Sequence, residues 1–266
     1  MLTLVPTPIG NLEDITLRAL RVLREADIIA CEDTRTSSIF LRHYGIDKPL
    51  VSFHLHNENE KTPVLLEKLR NGENIAVISD AGTPGISDPG WILLKRAQDE
   101  GLDVDVLPGP SAVIPAVLLS GIAPQPFMFA GFPPEKSGER SNMLASLAEI
   151  HCTLCFYISP HKAEKHISSM LEVFGNRRAS LVREVSKMFQ EVIRGNLGEI
   201  LDRVREGVKG ELVLVVEGAG NDEEECDSWK VEAEKLFREG ASVKDIVNEL
   251  AGRASKNNVK RFILGL

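Results

Sequence analysis

Short apolar runs alternate along the first half of the chain with longer stretches in which apolar residues recur at helical spacing. Residues 2–5, 28–31, 50–53, 75–78 and 104–107 form apolar or nearly apolar runs, each closed by a polar or Gly/Pro-rich segment, and read as buried strands. Residues 15–25, with Ile15, Leu17, Leu20 and Leu23 near helical spacing, and residues 38–43, 62–71 and 91–100 read as the intervening helices. Asn11 or Asp14 is placed to cap the first of these. Strands alternating with helices predict βαβ units and a mostly parallel sheet. Pro124, Pro126 and Phe132-Pro133-Pro134 mark a linker region. A second α/β block follows, with strands at 153–158, 178–183 and 212–217 and helices at 143–150 and 162–174. Three short helices, near 231–238, 243–251 and 256–263, close the chain. The pattern divides it into two α/β domains, residues 1–122 and 123–220, and a small helical C-terminal module, residues 221–266.

Composition narrows the classes. With 266 residues, 43% hydrophobic and 26% charged, the chain has ordinary globular composition and enough apolar residues for a sizeable core. Disorder, collagen and coiled coil are excluded at this level. Lys and Arg number 31 against 39 Asp and Glu, a formal charge of −8, so a whole-protein basic footprint for nucleic acid is absent. An RNA partner would have to meet local basic patches. One such patch is the tail from Ser242 onward, where five basic residues (Lys244, Arg253, Lys256, Lys260, Arg261) stand against Asp245 and Glu249. It is set off by residues 221–227, which hold five acidic side chains and read as a solvated linker. No apolar run approaches the ~20 residues needed to span a bilayer. The opening residues have no basic segment and meet Pro6, unlike a signal peptide. Four Cys without a framework of spacings point to a reduced, cytoplasmic setting.

The chemistry collects in loops after the predicted strands: Pro6 to Asn11, Glu32 to Arg35, His54 to Glu58, Ser79 to Asp88 and Pro108 to Ser111. In a parallel sheet these loops crowd one rim, the usual place for a ligand. Gly82, Gly85 and Gly109 allow close backbone approach there, or simply make turns. Neither GxxxxGKS nor GxGxxG occurs, which sets aside Walker NTPases and standard dinucleotide binders. Cys152 and Cys155 are spaced as a CxxC within an apolar strand, where positions three apart face opposite ways, so they read as buried apolar residues. His54 and His56 share a strand face, with Glu58 two further on, a conceivable metal pair or a polar structural cluster.

Taken together, the motifs are specific. They are Val5-Pro-Thr-Pro-Ile-Gly-Asn-Leu-Glu-Asp-Ile-Thr-Leu-Arg-Ala-Leu20, Glu32-Asp-Thr-Arg35, His56-Asn-Glu58, Ser79-Asp-Ala-Gly-Thr-Pro84, Ser87-Asp-Pro-Gly90, Leu107-Pro-Gly-Pro-Ser-Ala112, Phe156-Tyr-Ile-Ser-Pro-His161 and Arg183-Glu184 with Lys187. Through them the chain, from its start to about residue 218, resembles the tetrapyrrole-methylase family. The similarity is to the branch that methylates 16S ribosomal RNA of the small ribosomal subunit at the ribose 2′-hydroxyl of a decoding-region cytidine. Corrin and porphyrin relatives open with a GxGxGD loop, whereas this chain has Pro6 to Asn11 there. The resemblance implies a homodimer of two-domain subunits with S-adenosylmethionine (SAM) in the interdomain cleft; because a SAM methyl is already activated by its positive sulfur and the possible ligands form no tetrahedral set, no metal is expected. It assigns SAM contacts to Ile9, Asp80, Thr83, Ser111, Ala112, Tyr157 and Leu212. Ser111 could equally cap the helix that follows it. A ribose hydroxyl needs a general base as it attacks, and the candidates are Glu32, Asp33, His56, Glu58 and Glu184. Arg35, Arg183 and Lys187, with Lys256, Lys260 and Arg261 of the tail, read as phosphate partners or as surface salt bridges. A small-molecule methyltransferase and a noncatalytic RNA-binding assembly factor are the competing readings.

Overall fold

The computed structural model of the chain describes residues 1–220, 228–250 and 256–264. Its first sheet comprises β1 (Leu2–Leu4), β2 (Ile28–Cys31), β3 (Leu50–Ser52), β4 (Ile75–Val77) and β5 (Val104–Val106). Their spatial order is β3-β2-β4-β1-β5, and every pairing is parallel. Parallel neighbours need crossovers, and α1 (Leu17–Glu25), α2 (Thr34–His43), α3 (Glu58–Arg70) and α4 (Trp91–Asp99) lie between successive strands. The helices cover both faces, which is why β1, β2 and β4 are buried throughout. Alternate strand residues serve opposite clusters: Ala30 packs with Leu65, Leu66 and Leu93, while Ile29 packs with Ala19, Leu23 and Leu41.

The second sheet comprises β6 (Phe127–Gly131), β7 (Thr153–Ile158), β8 (Arg178–Arg183), β9 (Glu191–Asn196) and β10 (Leu212–Val216), in the order β6-β7-β10-β8-β9. This sheet is mixed. Only β6 and β7 run parallel, and the other three pairings are antiparallel. The reason is local: a short loop, with no crossover helix, returns the chain from β8 directly into β9. The helix α5 (Val113–Ser120) leaves the first sheet and packs on one face of the second, against Cys155, Val182, Val213 and Val215. The opposite face, with Phe156, Leu181 and Leu214, is covered by α6 (Ser137–Leu147), α7 (Ala163–Phe174) and α8 (Leu197–Arg205). At the end of α5 the carbonyls of Leu119 and Ser120 accept from Arg194 at 2.5 and 3.2 Å, and that of Gly121 from Arg178 at 2.9 Å. Two guanidinium groups thus satisfy the negative end of the helix and tie it to β8 and β9.

The tail forms α9 (Ser228–Arg238), α10 (Val243–Glu249) and α11 (Lys256–Ile263) around its own small cluster of Ala233, Ile246, Val247, Leu250, Val259 and Ile263. The acidic stretch expected as a linker, residues 221–227, lies outside the described residues. Among the described residues no helix is long and apolar enough to cross a membrane.

Candidate active site

Because every strand of the first sheet points the same way, the five polar loops gather at one rim. A cleft of about 640 Å³ opens between that rim and the second sheet. The first sheet contributes Ile9 after β1, Asp80 to Thr83 and Ile86 to Asp88 after β4, and Ser111 to Ile114 at the start of α5. Phe127 and Phe129 of β6, Phe132, Tyr157 of β7, and Leu212 and Val213 of β10 close the other side. All seven residues expected to contact the cofactor, Ile9, Asp80, Thr83, Ser111, Ala112, Tyr157 and Leu212, line this one space. Apart from Tyr157, sequence reasoning missed the aromatic part of the wall. Tyr157 stands edge-on to Phe129 at 4.8 Å between ring centres and tilted to Phe132 at 5.3 Å. Phe132 reads in the sequence as part of a proline-rich linker, and nothing local signals its place at the cleft.

The rim loops are tied to one another. Thr7 and Gly82 exchange both backbone hydrogen bonds, at 2.9 and 3.0 Å, and the Thr7 hydroxyl donates to the Ser79 carbonyl at 3.0 Å. The Thr83 hydroxyl donates to the Pro110 carbonyl at 3.1 Å. Gly109 is needed for close approach, since a side-chain carbon there would come to 2.6 Å from Cβ of Pro6. Ser111 accepts from the Val113 amide at 3.4 Å, a weak capping contact, and its hydroxyl also bonds the Tyr157 phenol. Burial pushes that phenol up.

Acidity concentrates on the same rim. Burial pushes the Glu32 carboxyl up to about 7, and the nearby carboxylates of Asp88 and Asp80 add to the shift. Asp88 is raised by burial and by Asp80, against a hydrogen bond from Ser79. Asp80 is raised by burial and by Asp33, against the Asp33 backbone N–H that it accepts.

Three of the other expected bases, Asp33, Glu58 and Glu184, are engaged elsewhere. Asp33 is the N-cap of α2: it accepts from the Arg35 amide at 2.8 Å and pairs with the Arg35 guanidinium at 3.2 Å, which holds it below the usual carboxylate range. Glu58 is 4% exposed and turns away from the two histidines, accepting from the amides of Gly90 and Ile92 at 2.8 and 3.3 Å. It caps α4 rather than facing the cleft. Glu184 accepts from the Glu211 amide and the Lys187 ammonium, which together hold its carboxyl low. His54 and His56 follow the end of β3 in a turn and do not share a strand face, because β3 stops at Ser52. Their rings lie 6.0 Å apart, and His56 is exposed. Cys155 is buried within β7, its thiol pushed up to about 12, whereas Cys152 precedes the strand; both are free thiols.

The expected phosphate partners differ in availability. Arg35 projects into solvent, its side chain 89% exposed. Arg183 is spent on Glu191 at 2.9 Å, and Lys187 on Glu184 and Glu211 at 2.9 and 3.2 Å. Burial alone would lower the Lys187 ammonium, and its two carboxylate partners raise it instead. Lys260 is exposed, while the side chains of Lys256 and Arg261 lie outside the described residues.

Two α/β sheets face each other across a cleft at the strand ends. The fold is similar to that of diphthine synthase, with a TM-score of 0.66 and 15% identity over 81% of this chain and 89% of that one. It is also similar to uroporphyrin-III-C-methyltransferase from Thermus thermophilus, with a TM-score of 0.60 and 21% identity over 81% and 93%. Those likenesses concern the fold alone. Residues 1–201 match the Tetrapyrrole (Corrin/Porphyrin) Methylases, and the chain belongs to that family. It is 41% identical to Ribosomal RNA small subunit methyltransferase I of Bacillus subtilis over 99% of this chain and 92% of that protein. To the protein of the same name from Haemophilus influenzae it is 45% identical, over 98% and 95%.

Proposed function

We propose that this protein uses SAM to methylate 16S ribosomal RNA within the small ribosomal subunit, at the ribose 2′-hydroxyl of a cytidine in the decoding region. The observation that carries the reading is the near-full-length likeness to proteins named for small-subunit ribosomal RNA methylation. The cleft supports it. SAM presents an amino-acid head, a ribose and an adenine, and the wall offers Asp80, backbone groups and the hydroxyls of Thr83 and Ser111 beside an aromatic face of Phe129, Tyr157 and Phe132. When bound, it supplies a methyl group already activated by a positive sulfur.

The protein's own part is to hold the ribose hydroxyl in line and remove its proton. Glu32 is the group for the second task. Its carboxyl sits near neutrality, so it is partly ionised in the working range and able to keep the proton it takes. Burial holds it there, and the carboxylates of Asp88 and Asp80 add to the shift. The protein works in the cytoplasm as a homodimer, as the resemblance implies, and Trp91 and Leu118 are exposed apolar side chains outside the cleft wall available for such a contact.

Incubation with labelled SAM and small subunits lacking the modification, followed by nucleoside mass spectrometry, tests the reading. Recovery of 2′-O-methylcytidine is expected; label on a base, or none on the RNA, overturns it. Asp80→Ala is expected to weaken SAM binding at least about tenfold, or about 1.4 kcal/mol, by calorimetry. Unchanged affinity removes Asp80 from the cofactor site.

A further inference from the structure

The loop between β8 and β9 is held unusually firmly for a surface loop. Glu184 and Ser186 have φ of 53° and 66°, in the left-handed region that residues with a Cβ avoid. Contacts impose both conformations. The Glu184 carboxylate accepts from the Glu211 amide at 2.8 Å and from the Lys187 ammonium at 2.9 Å. The Ser186 amide donates to the Gln190 side chain at 2.8 Å, and its hydroxyl bonds the carboxylate of Asp14. Two glycines make room. A side-chain carbon on Gly210 would come to 2.6 Å from the Glu184 carboxyl carbon, and one on Gly10 would collide with the stem of Lys187. The loop is therefore pinned to both lips of the cleft, since Gly10 follows the wall residue Ile9 and Glu211 lines the wall itself.

This scaffold presents Met188 and Phe189 to solvent, 91% and 69% exposed. Backbone strain that neighbouring contacts over-determine gathers at functional positions, and here it fixes an apolar tip beside the substrate cleft. We infer that Phe189, flanked by Met188, stacks on an unpaired base of the RNA next to the methylated nucleotide. This rests on the proposed RNA substrate. A ribose hydroxyl held in a stacked strand cannot enter a cleft, so its nucleotide must be drawn out, and the neighbouring base loses its stacking partner. An aromatic face replaces that partner without reading sequence. Arg183 and Lys187 are occupied by carboxylates, so the loop contributes a ring rather than free positive charge.

The test uses the full chain with Phe189→Ala and Phe189→Trp, assayed on small subunits lacking the modification. SAM affinity is read by calorimetry and oligomeric state by light scattering. Phe189→Ala is expected to lower kcat/KM for subunits at least about fivefold, the low end of the cost of losing one base stack. Phe189→Trp is expected to restore it, with SAM affinity and oligomeric state unchanged in both. Full activity of Phe189→Ala overturns the stacking role. So does a loss that Trp fails to restore, or one that accompanies a change in SAM affinity or subunit association. Wild-type protein that leaves the subunits unmethylated overturns the substrate reading first, before any variant is compared.

Discussion

Replacing Glu32 with Gln is expected to lower the methylation rate about a hundredfold or more while leaving SAM affinity within about twofold. Glutamine keeps the size and one acceptor oxygen but cannot take a proton. In the unaltered enzyme the rate should rise with pH through about 7, as the Glu32 carboxyl loses its proton and becomes able to accept one. The variant should lack this limb. Folding stability should move the other way. Burial and the neighbouring Asp88 and Asp80 raise the Glu32 pKa from 4.5 to about 7, so the folded state binds the extra proton and loses stability as pH rises through that window. Gln removes the penalty, and above pH 7 the slower variant should melt at a higher temperature. A variant that keeps the wild-type rate and pH limb would falsify Glu32 as the base. His56, exposed on the next loop, would then be the group to examine.

Glu58→Ala should act on the fold rather than the chemistry, destabilising the protein by about 2–4 kcal/mol. The carboxylate is 4% exposed and caps the positive end of α4 through the Gly90 and Ile92 amides. Alanine leaves those donors without a partner in a site closed to water. Glu58→Gln keeps an acceptor and should recover much of the loss. Urea unfolding read by circular dichroism measures both. Native stability combined with lost methylation would return Glu58 to the list of bases.

The first sheet was legible because its strands are short, apolar and separated by helices with clear periodicity, and parallel pairing follows from that alternation. The second was harder to read. In β9 the polar Glu191, Arg194 and Asn196 are mixed with Val192 and Ile193, so a half-buried edge strand carries no continuous apolar run. Strand β6 sits directly after Pro124 and Pro126, where punctuation reads as linker. A start signal for α8 was present: Asn196 and Glu199 form a reciprocal capping box. The cleft's loops were readable because parallel strands deliver them to one rim. The division of labour among the carboxylates was not. Whether Asp33, Glu58 or Glu184 takes a cap, an ion pair or a proton depends on amides and ammonium groups from distant parts of the chain, such as Gly90 for Glu58 and Glu211 for Glu184.

The paired hydrogen bonds between Thr7 and Gly82 run antiparallel just beyond two strands that are themselves parallel. The two loops are thus one body before any ligand arrives. The configurational entropy that separate loops would surrender on closing around a small molecule has already been given up in folding. A ligand that settles against these two loops meets them already joined. Their contribution to its heat-capacity change of binding is then the apolar surface covered rather than ordering of the chain.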